Sequence, residues 1–209
     1  MQTLTEDFLK ARRRLSRRDP GLRRIIQAVG ACTLRPNPDG FDILARSIVS
    51  QMISTKAALG IAGRLERELA PGGLTPAGVL AASEETMRGA GLSRSKVLAL
   101  RDLAERVQNG QLPLHDLARR TDEEVVALLT PVRGIGVWTA EMFLIFSLGR
   151  LDVLPVGDLG LRAGVQQTYG LLEMPKAAAL RERAEAWRPY RTVATWYFWR
   201  SRGFVPHSE

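Results

Sequence analysis

Asp122-Glu-Glu-Val-Val-Ala-Leu-Leu-Thr-Pro-Val-Arg-Gly-Ile-Gly-Val-Trp-Thr-Ala-Glu-Met-Phe-Leu-Ile-Phe-Ser-Leu148, followed by Leu154-Pro-Val-Gly-Asp-Leu-Gly-Leu-Arg162, decides how this chain folds. Two apolar runs at helical spacing are split by Pro131-Val132-Arg133-Gly134-Ile135-Gly136, so the segment reads as helix, glycine hairpin, helix. Thr121 precedes the first run as an N-cap, with Glu124 three positions on as its reciprocal partner. The glycines remove side chains where a backbone must come close to something else. Gly136 opens the second helix, whose first N–H groups have no partner inside it. Free N–H groups at the positive end of a helix dipole make a seat for phosphate.

Outward from this segment, the helical pattern continues in both directions. Leu4, Phe8, Leu9 and Leu15 suggest a short amphipathic helix, and Asp19-Pro20 caps a second that Gly30 ends. Asn37-Pro-Asp-Gly40 is a turn, and Phe41–Ser54 follows at helical spacing. Further helices are expected over Thr55–Leu69, from Thr75-Pro76, from Ser83, and over Ser93–Gln108. Beyond Arg162 the chain reads helical to Tyr169, again from Met174-Pro175, and finally over Tyr190–Ser201. No run alternates cleanly enough to demand a strand, so the expected fold is all-α with roughly ten helices, the helix-hairpin-helix lying at 122–148. Two helical lobes flanking a cleft are expected. One spans 33–150 and carries the hairpin, and the other combines 1–32 with 151–209.

Composition narrows the function. The 209 residues include 30 Lys or Arg against 22 Asp or Glu, a net charge of +8 that suits a polyanionic partner. Lysine occurs only at Lys10, Lys56, Lys96 and Lys176, so arginine carries most of that charge. The basic run Lys10–Arg18 reads as the solvated face of the first helix. Cys32 is the sole cysteine, which excludes an intramolecular disulfide and an iron–sulfur cluster held by four thiolates. His115 and His207 are the only histidines, too few for a histidine-rich zinc site. No apolar run reaches the ~18 residues that span a bilayer, and the N-terminus lacks the apolar core of a secretory signal. The expectation is a cytoplasmic, nucleoid-associated monomer with no membrane partner.

Several residues could carry chemistry. Asp158 lies 22 positions after Gly136 (158 − 136), in a tight segment bounded by Pro155 and Gly157. A fixed carboxylate there can stabilise positive charge on a sugar, or orient a water, during glycosidic cleavage. It can equally be the N-cap of a helix beginning at Leu159. Asp152, its rival, reads as a surface turn residue. Trp138 starts the second motif helix, while Trp187, Trp196 and Trp199 cluster near the C-terminus. An indole face gains roughly 0.5–2 kcal/mol from a cationic ring, such as a base alkylated at N3 or N7. Gln51 and Met52 end an apolar helix, where Met52 suits a wedge filling the gap left by an extruded nucleotide, or plain core.

Phe41…Ser47-Ile-Val-Ser-Gln-Met-Ile-Ser54, Gly91-Leu-Ser-Arg-Ser-Lys96, the hairpin Pro131–Ala140, Leu154-Pro-Val-Gly-Asp158 and Trp187-Arg-Pro-Tyr-Arg191…Trp199 occur in order. Together they resemble the helix-hairpin-helix DNA glycosylase superfamily, and within it the 3-methyladenine DNA glycosylase II branch, over about residues 40–204. The resemblance implies a monofunctional enzyme that flips and excises alkylated bases from double-stranded DNA. In it Asp158 is the catalytic carboxylate, and Gln51 and Met52 take the wedge. Trp138, Met142 and Trp199 line the base pocket. Arg133, Gly134, Gly136 and Thr139 hold phosphate. The carbonyls of Thr130, Val132 and Ile135 match positions that bind a monovalent cation in relatives. Bifunctional relatives keep a Schiff-base lysine where this chain has Trp138, and Met142 replaces a pocket tyrosine. A glycosylase for mismatched or oxidised bases, and a non-catalytic hairpin module that only grips DNA, remain the alternatives.

Overall fold

Capping chemistry sets most of the helix boundaries. The computed structural model describes residues 2–203, and among these it contains twelve α-helices, two 3₁₀ segments and no strand. The side chains of Gln2, Thr3 and Thr55 are not described, and Phe204 and His207 lie outside the described residues. The chain divides into two compact units. One is Asn37–Leu148, and the other is built from residues before and after it.

The central unit comprises α3 (Gly40–Ser50), α4 (Thr55–Glu68), α5 (Pro76–Ala81), α6 (Glu84–Gly89), α7 (Arg94–Gln108), α8 (Asp122–Leu129) and α9 (Val137–Phe146). Ser54, Thr75, Ser83, Ser93 and Thr121 each accept a backbone N–H of the helix they precede. Each such cap contributes about 1 kcal/mol. At Thr121 the capping box is complete: its hydroxyl accepts from the Glu124 amide at 3.2 Å, and the Glu124 carboxylate accepts from the Thr121 amide at 2.8 Å. Helix α3 is the core of this unit. Phe41, Ile43, Leu44, Ala45, Ser47, Ile48 and Val49 are buried, and it packs on α4, α7 and α9. It stops at Ser50, four residues short of the expected Ser54, and Gln51 turns to extended backbone (φ −56°, ψ 132°). The reason is tertiary. The Lys96 ammonium donates to the Val49 carbonyl at 2.8 Å, capping the helix end from outside. A 3₁₀ segment over Leu114–Arg119 leads into Thr121, where the sequence pattern suggests only a connection.

The other unit contains α1 (Gln2–Arg18), α2 (Pro20–Val29), α10 (Leu159–Tyr169), α11 (Ala177–Ala184) and α12 (Arg191–Ser201), with a 3₁₀ turn at Glu185–Trp187. Helix α1 is longer than expected. Helix α12 is its core, with every residue from Thr192 to Trp199 buried. Helix α10 comes close to it through two glycines one turn apart. A Cβ at Gly164 would meet the Phe198 Cβ at 2.9 Å, and one at Gly160 would meet the Trp199 ring at 3.1 Å. Asp19 joins three parts of the unit. It caps α2 by accepting from the Gly21 and Leu22 amides, and accepts from the Trp187 indole N–H at 2.8 Å and the Tyr169 hydroxyl at 2.5 Å. Asp152, expected as a surface turn residue, is instead a hub: it accepts from the Arg191 and Arg188 guanidinium groups, each at 2.8 Å, and fixes the start of α12. Those two arginines lie 36 and 39 positions away, a pairing no local pattern reveals.

Candidate functional site

The expected site residues fall into two groups, one in each unit. In the central unit, α8 and α9 are joined by a tight turn in which Val132 and Ile135 are buried while Gly134 and Gly136 are exposed. Gly134 has φ +78°, a conformation that costs a side-chain-bearing residue roughly 1–2 kcal/mol. A Cβ there would also sit 3.3 Å from that of Ala99. Gly136 is the N-cap of α9 and supplies no capping side chain. The turn is held from α7, because Asp102 accepts the Arg133 amide at 2.7 Å while also pairing with Arg106 at 3.0 Å. Nothing in the local sequence pattern marks Asp102 for this role.

The turn that follows α3 is tied to the same hairpin. Gln51 Nε2 donates to the Gly134 carbonyl at 2.8 Å. Met52 then takes φ +58°, and among the described residues it is the sole non-glycine with a positive φ. Its side chain is fully exposed, at 101 % of the reference value, and Ile53 beside it is exposed as well. Met52 is therefore not core. An apolar side chain is held out on a strained backbone, and the chain just before it is anchored twice, by Lys96 to Val49 and by Gln51 to Gly134. Burial holds the Lys96 ammonium below the ordinary lysine range.

The aromatic candidates separate sharply. Trp138 is 38 % exposed at the first turn of α9. Met142, one turn further along, is 0 % exposed and packs in the core, so it offers no surface to an incoming base. Thr139 is also buried, which leaves only its backbone amide for phosphate. Trp187, Trp196 and Trp199 are buried too, Trp199 completely. Trp199 therefore does not present an aromatic wall here. Its indole Nε1 instead donates to Asp158 Oδ1 at 2.8 Å.

Asp158 is 6 % exposed and is the N-cap of α10, its Oδ1 also accepting the Leu161 amide at 2.6 Å. Both donors land on one carboxylate oxygen, and the helix N-terminus adds its positive dipole end. Capping and chemistry are compatible, since the cap fixes the oxygen's position. Gly160 is part of this arrangement, for a Cβ there would lie 3.2 Å from Asp158 Oδ1 and 3.3 Å from Trp199 Nε1. Asp158-Leu-Gly is legible as sequence, but the partner indole, 41 residues away, is not.

Among the described residues no cluster of three or more His, Cys, Asp or Glu could hold a metal, and no helix is long and apolar enough to cross a membrane. The carbonyls of Thr130, Val132 and Ile135 lie in the hairpin turn, where Val132 O also accepts the Ile135 amide at 3.0 Å.

One unit thus carries a hairpin with exposed glycines and an apolar side chain displayed beside it, and the other a buried carboxylate that caps a helix. The chain belongs to the HhH-GPD superfamily of base excision DNA repair proteins, whose family model matches residues 45–189. It is 34 % identical to DNA-3-methyladenine glycosylase 1 of Schizosaccharomyces pombe, an alignment covering 100 % of this chain and 93 % of that one. A solved structure of a 3-methyladenine DNA glycosylase from that organism, in complex with abasic DNA, superposes with a TM-score of 0.83 at 33 % identity, covering 96 % of this chain and 100 % of the other. A DNA-3-methyladenine glycosidase structure from Bacillus halodurans gives a TM-score of 0.80 at 40 % identity, covering 91 % and 87 %.

Proposed function

We propose that this chain is a monofunctional DNA N-glycosylase that flips and excises alkylated bases, of the 3-methyladenine and 7-methylguanine type, in base excision repair. The observation that carries the chemistry is Asp158, buried at the N-terminus of α10 with its Oδ1 accepting hydrogen bonds from the Leu161 amide and the Trp199 indole. As the N-glycosidic bond breaks, its electron pair leaves with the base and positive charge builds on C1′. The carboxylate stabilises that charge, and a water oxygen then bonds to C1′ as its proton passes to the carboxylate. A base carrying an alkyl group at N3 or N7 is cationic, so it leaves neutral without a general acid. Trp138, an indole partly open to solvent, suits such a ring. The absence of a lysine at that position supports hydrolysis rather than a Schiff base.

Met52 fills the gap in the stack, steadied through Gln51, and the amides around Gly134 and Gly136 seat phosphate. The hairpin carbonyls of Thr130, Val132 and Ile135 are neutral oxygen donors that suit a hard monovalent cation, which would brace the turn electrostatically. No step runs through it.

Asp158→Asn tests the assignment cleanly, because Asn caps a helix as well as Asp and can accept the same two hydrogen bonds. The fold and abasic-duplex binding should persist while base release from methylated DNA is lost. Near-normal release would remove Asp158 from the mechanism. Mass spectrometry of freed bases should find methylated purines. Release of 8-oxoguanine in their place would favour an oxidised-base enzyme.

A further inference from the structure

The positive charge of this chain is not where the hairpin is. Residues 37–148, the unit bearing the hairpin, carry 12 Lys or Arg and 13 Asp or Glu, a net of −1. Residues 1–36 and 149–209 carry 18 against 9, a net of +9, and residues 1–36 alone carry 9 against 3. The surplus that first suggested a polyanionic partner therefore sits mainly on α1 and α2.

Its arrangement there is ordered. Phe8, Ala11 and Leu15 bury one face of α1. Lys10, Arg13, Arg14 and Arg17, at i, i+3, i+4 and i+7, run along the opposite face. Several arginines elsewhere are neutralised: Arg46 by Asp42 and Glu66, Arg106 by Asp102, Arg191 by Asp152. On α1 and α2, Lys10 meets Asp7 at 3.7 Å, but among the described residues Arg13, Arg14, Arg17, Arg18, Arg23 and Arg24 form no ion pair. Several are instead pinned by backbone carbonyls. Arg14 donates through Nε to Arg188 O at 2.9 Å, Arg17 to Arg13 O at 3.3 Å, and Arg23 to Ser16 O at 2.7 Å. A guanidinium anchored through Nε keeps its charge and offers its two terminal nitrogens as a fork, the shape that matches a phosphate.

We infer that the arginine face of α1 and α2 is a second, sequence-independent seat for the phosphates of duplex DNA, besides the hairpin. The identity of the polyanion rests on the DNA-repair reading above. The face holds undamaged duplex through charge and so serves the search for damage rather than the chemistry.

The test replaces exposed Arg13, Arg17 and Arg18 together by glutamine, a residue of similar helix propensity, so that the fold and melting temperature persist. Binding to a long undamaged duplex is measured from roughly 50 to 200 mM salt. The slope of log K against log salt should fall by about 2–3, at ~0.9 for each phosphate no longer neutralised. Single-turnover base release from a saturated short methylated duplex should not change. A triple lysine variant, which keeps the charge, should retain most of the slope. A glutamine variant with the wild-type slope would overturn the inference, as would a lysine variant that falls with it. Loss of binding to anionic phospholipid vesicles with the duplex slope intact would assign the face to a membrane surface and also overturn it. The slope does not depend on Asp158, so a failure of the glycosylase reading in Asp158→Asn would be seen separately.

Discussion

Gly160→Ala would disturb the candidate catalytic carboxylate without touching it. The added methyl would lie 3.1 Å from Trp199 Cδ1, 3.2 Å from Asp158 Oδ1 and 3.3 Å from Trp199 Nε1. Relaxed van der Waals separations begin near ~3.5 Å, so each neighbour must yield by a few tenths of an ångström. The indole is locked in a core and the aspartate is fixed by the Leu161 amide, so the methyl drives between the two partners of a 2.8 Å hydrogen bond. A misplacement of ~1 Å in a catalytic group costs on the order of a hundredfold in rate. A shift of a few tenths, with a lengthened bond, should cost about tenfold, or ~1.4 kcal/mol. Stability should change little, because Ala gains up to ~1 kcal/mol over Gly in a helix and so offsets the crowding. Single-turnover release from methylated duplex measures the effect, with Gly63→Ala in α4 as control, since a Cβ there meets nothing. Wild-type release by a folded Gly160→Ala would mean that the position of this carboxylate does not set the rate.

Trp199→Phe removes the buried indole donor and should lower both the melting temperature and the release rate, the charge-assisted bond being worth about 1.5–3 kcal/mol; an unchanged rate would make Trp199 packing alone. Met52→Gly should raise thermal stability by about 1 kcal/mol through relief of the left-handed backbone, yet weaken binding to an abasic-site duplex; unweakened binding would deny Met52 its wedge role. Burial pushes the Cys32 thiol up to about 12 and raises the Tyr169 and Tyr197 hydroxyls as well. All three hold their protons more tightly folded than unfolded, so they contribute stability at neutral pH that is lost as pH climbs from 9 towards 12; a melting temperature flat across that window would refute the shifts. The same burial should make Cys32 slow to react with thiol reagents at neutral pH in the native state, as measured against the unfolded chain.

Local signals were the legible ones. Ser, Thr and Asp caps at 19, 75, 83, 93 and 121 gave helix starts that the structure places within a residue or two. The hairpin could be read because Pro131, Gly134 and Gly136 specify backbone geometry within a few residues. What could not be read was set by distant partners. Ser50 ends α3 because of Lys96, Asp152 is a hub because of Arg188 and Arg191, and Trp199 faces Asp158 rather than a pocket because α12 is buried on every side. A tryptophan's apolar bulk is equally good as core or as ligand platform. Only its exposure decides, and that singles out Trp138.

Two sources of phosphate affinity follow from the uneven charge. With a net of −1, the hairpin unit cannot hold DNA by bulk attraction, so on the proposed reading its grip comes from amide dipoles at Gly134 and Gly136. Dipoles act over the first turn of a helix and demand a fixed orientation, and they release few counterions when they bind. The arginines of α1 and α2 act over a Debye length, about 8 Å at physiological salt, with little regard to orientation. Rising salt should therefore erode binding to undamaged duplex much more steeply than it erodes the positioning of a base already flipped. The rate of release from the bound complex should stay nearly constant across a salt range in which the affinity falls by orders of magnitude. If both fell together, the hairpin and the arginine face would be one electrostatic surface, and the division argued from their charges would be wrong.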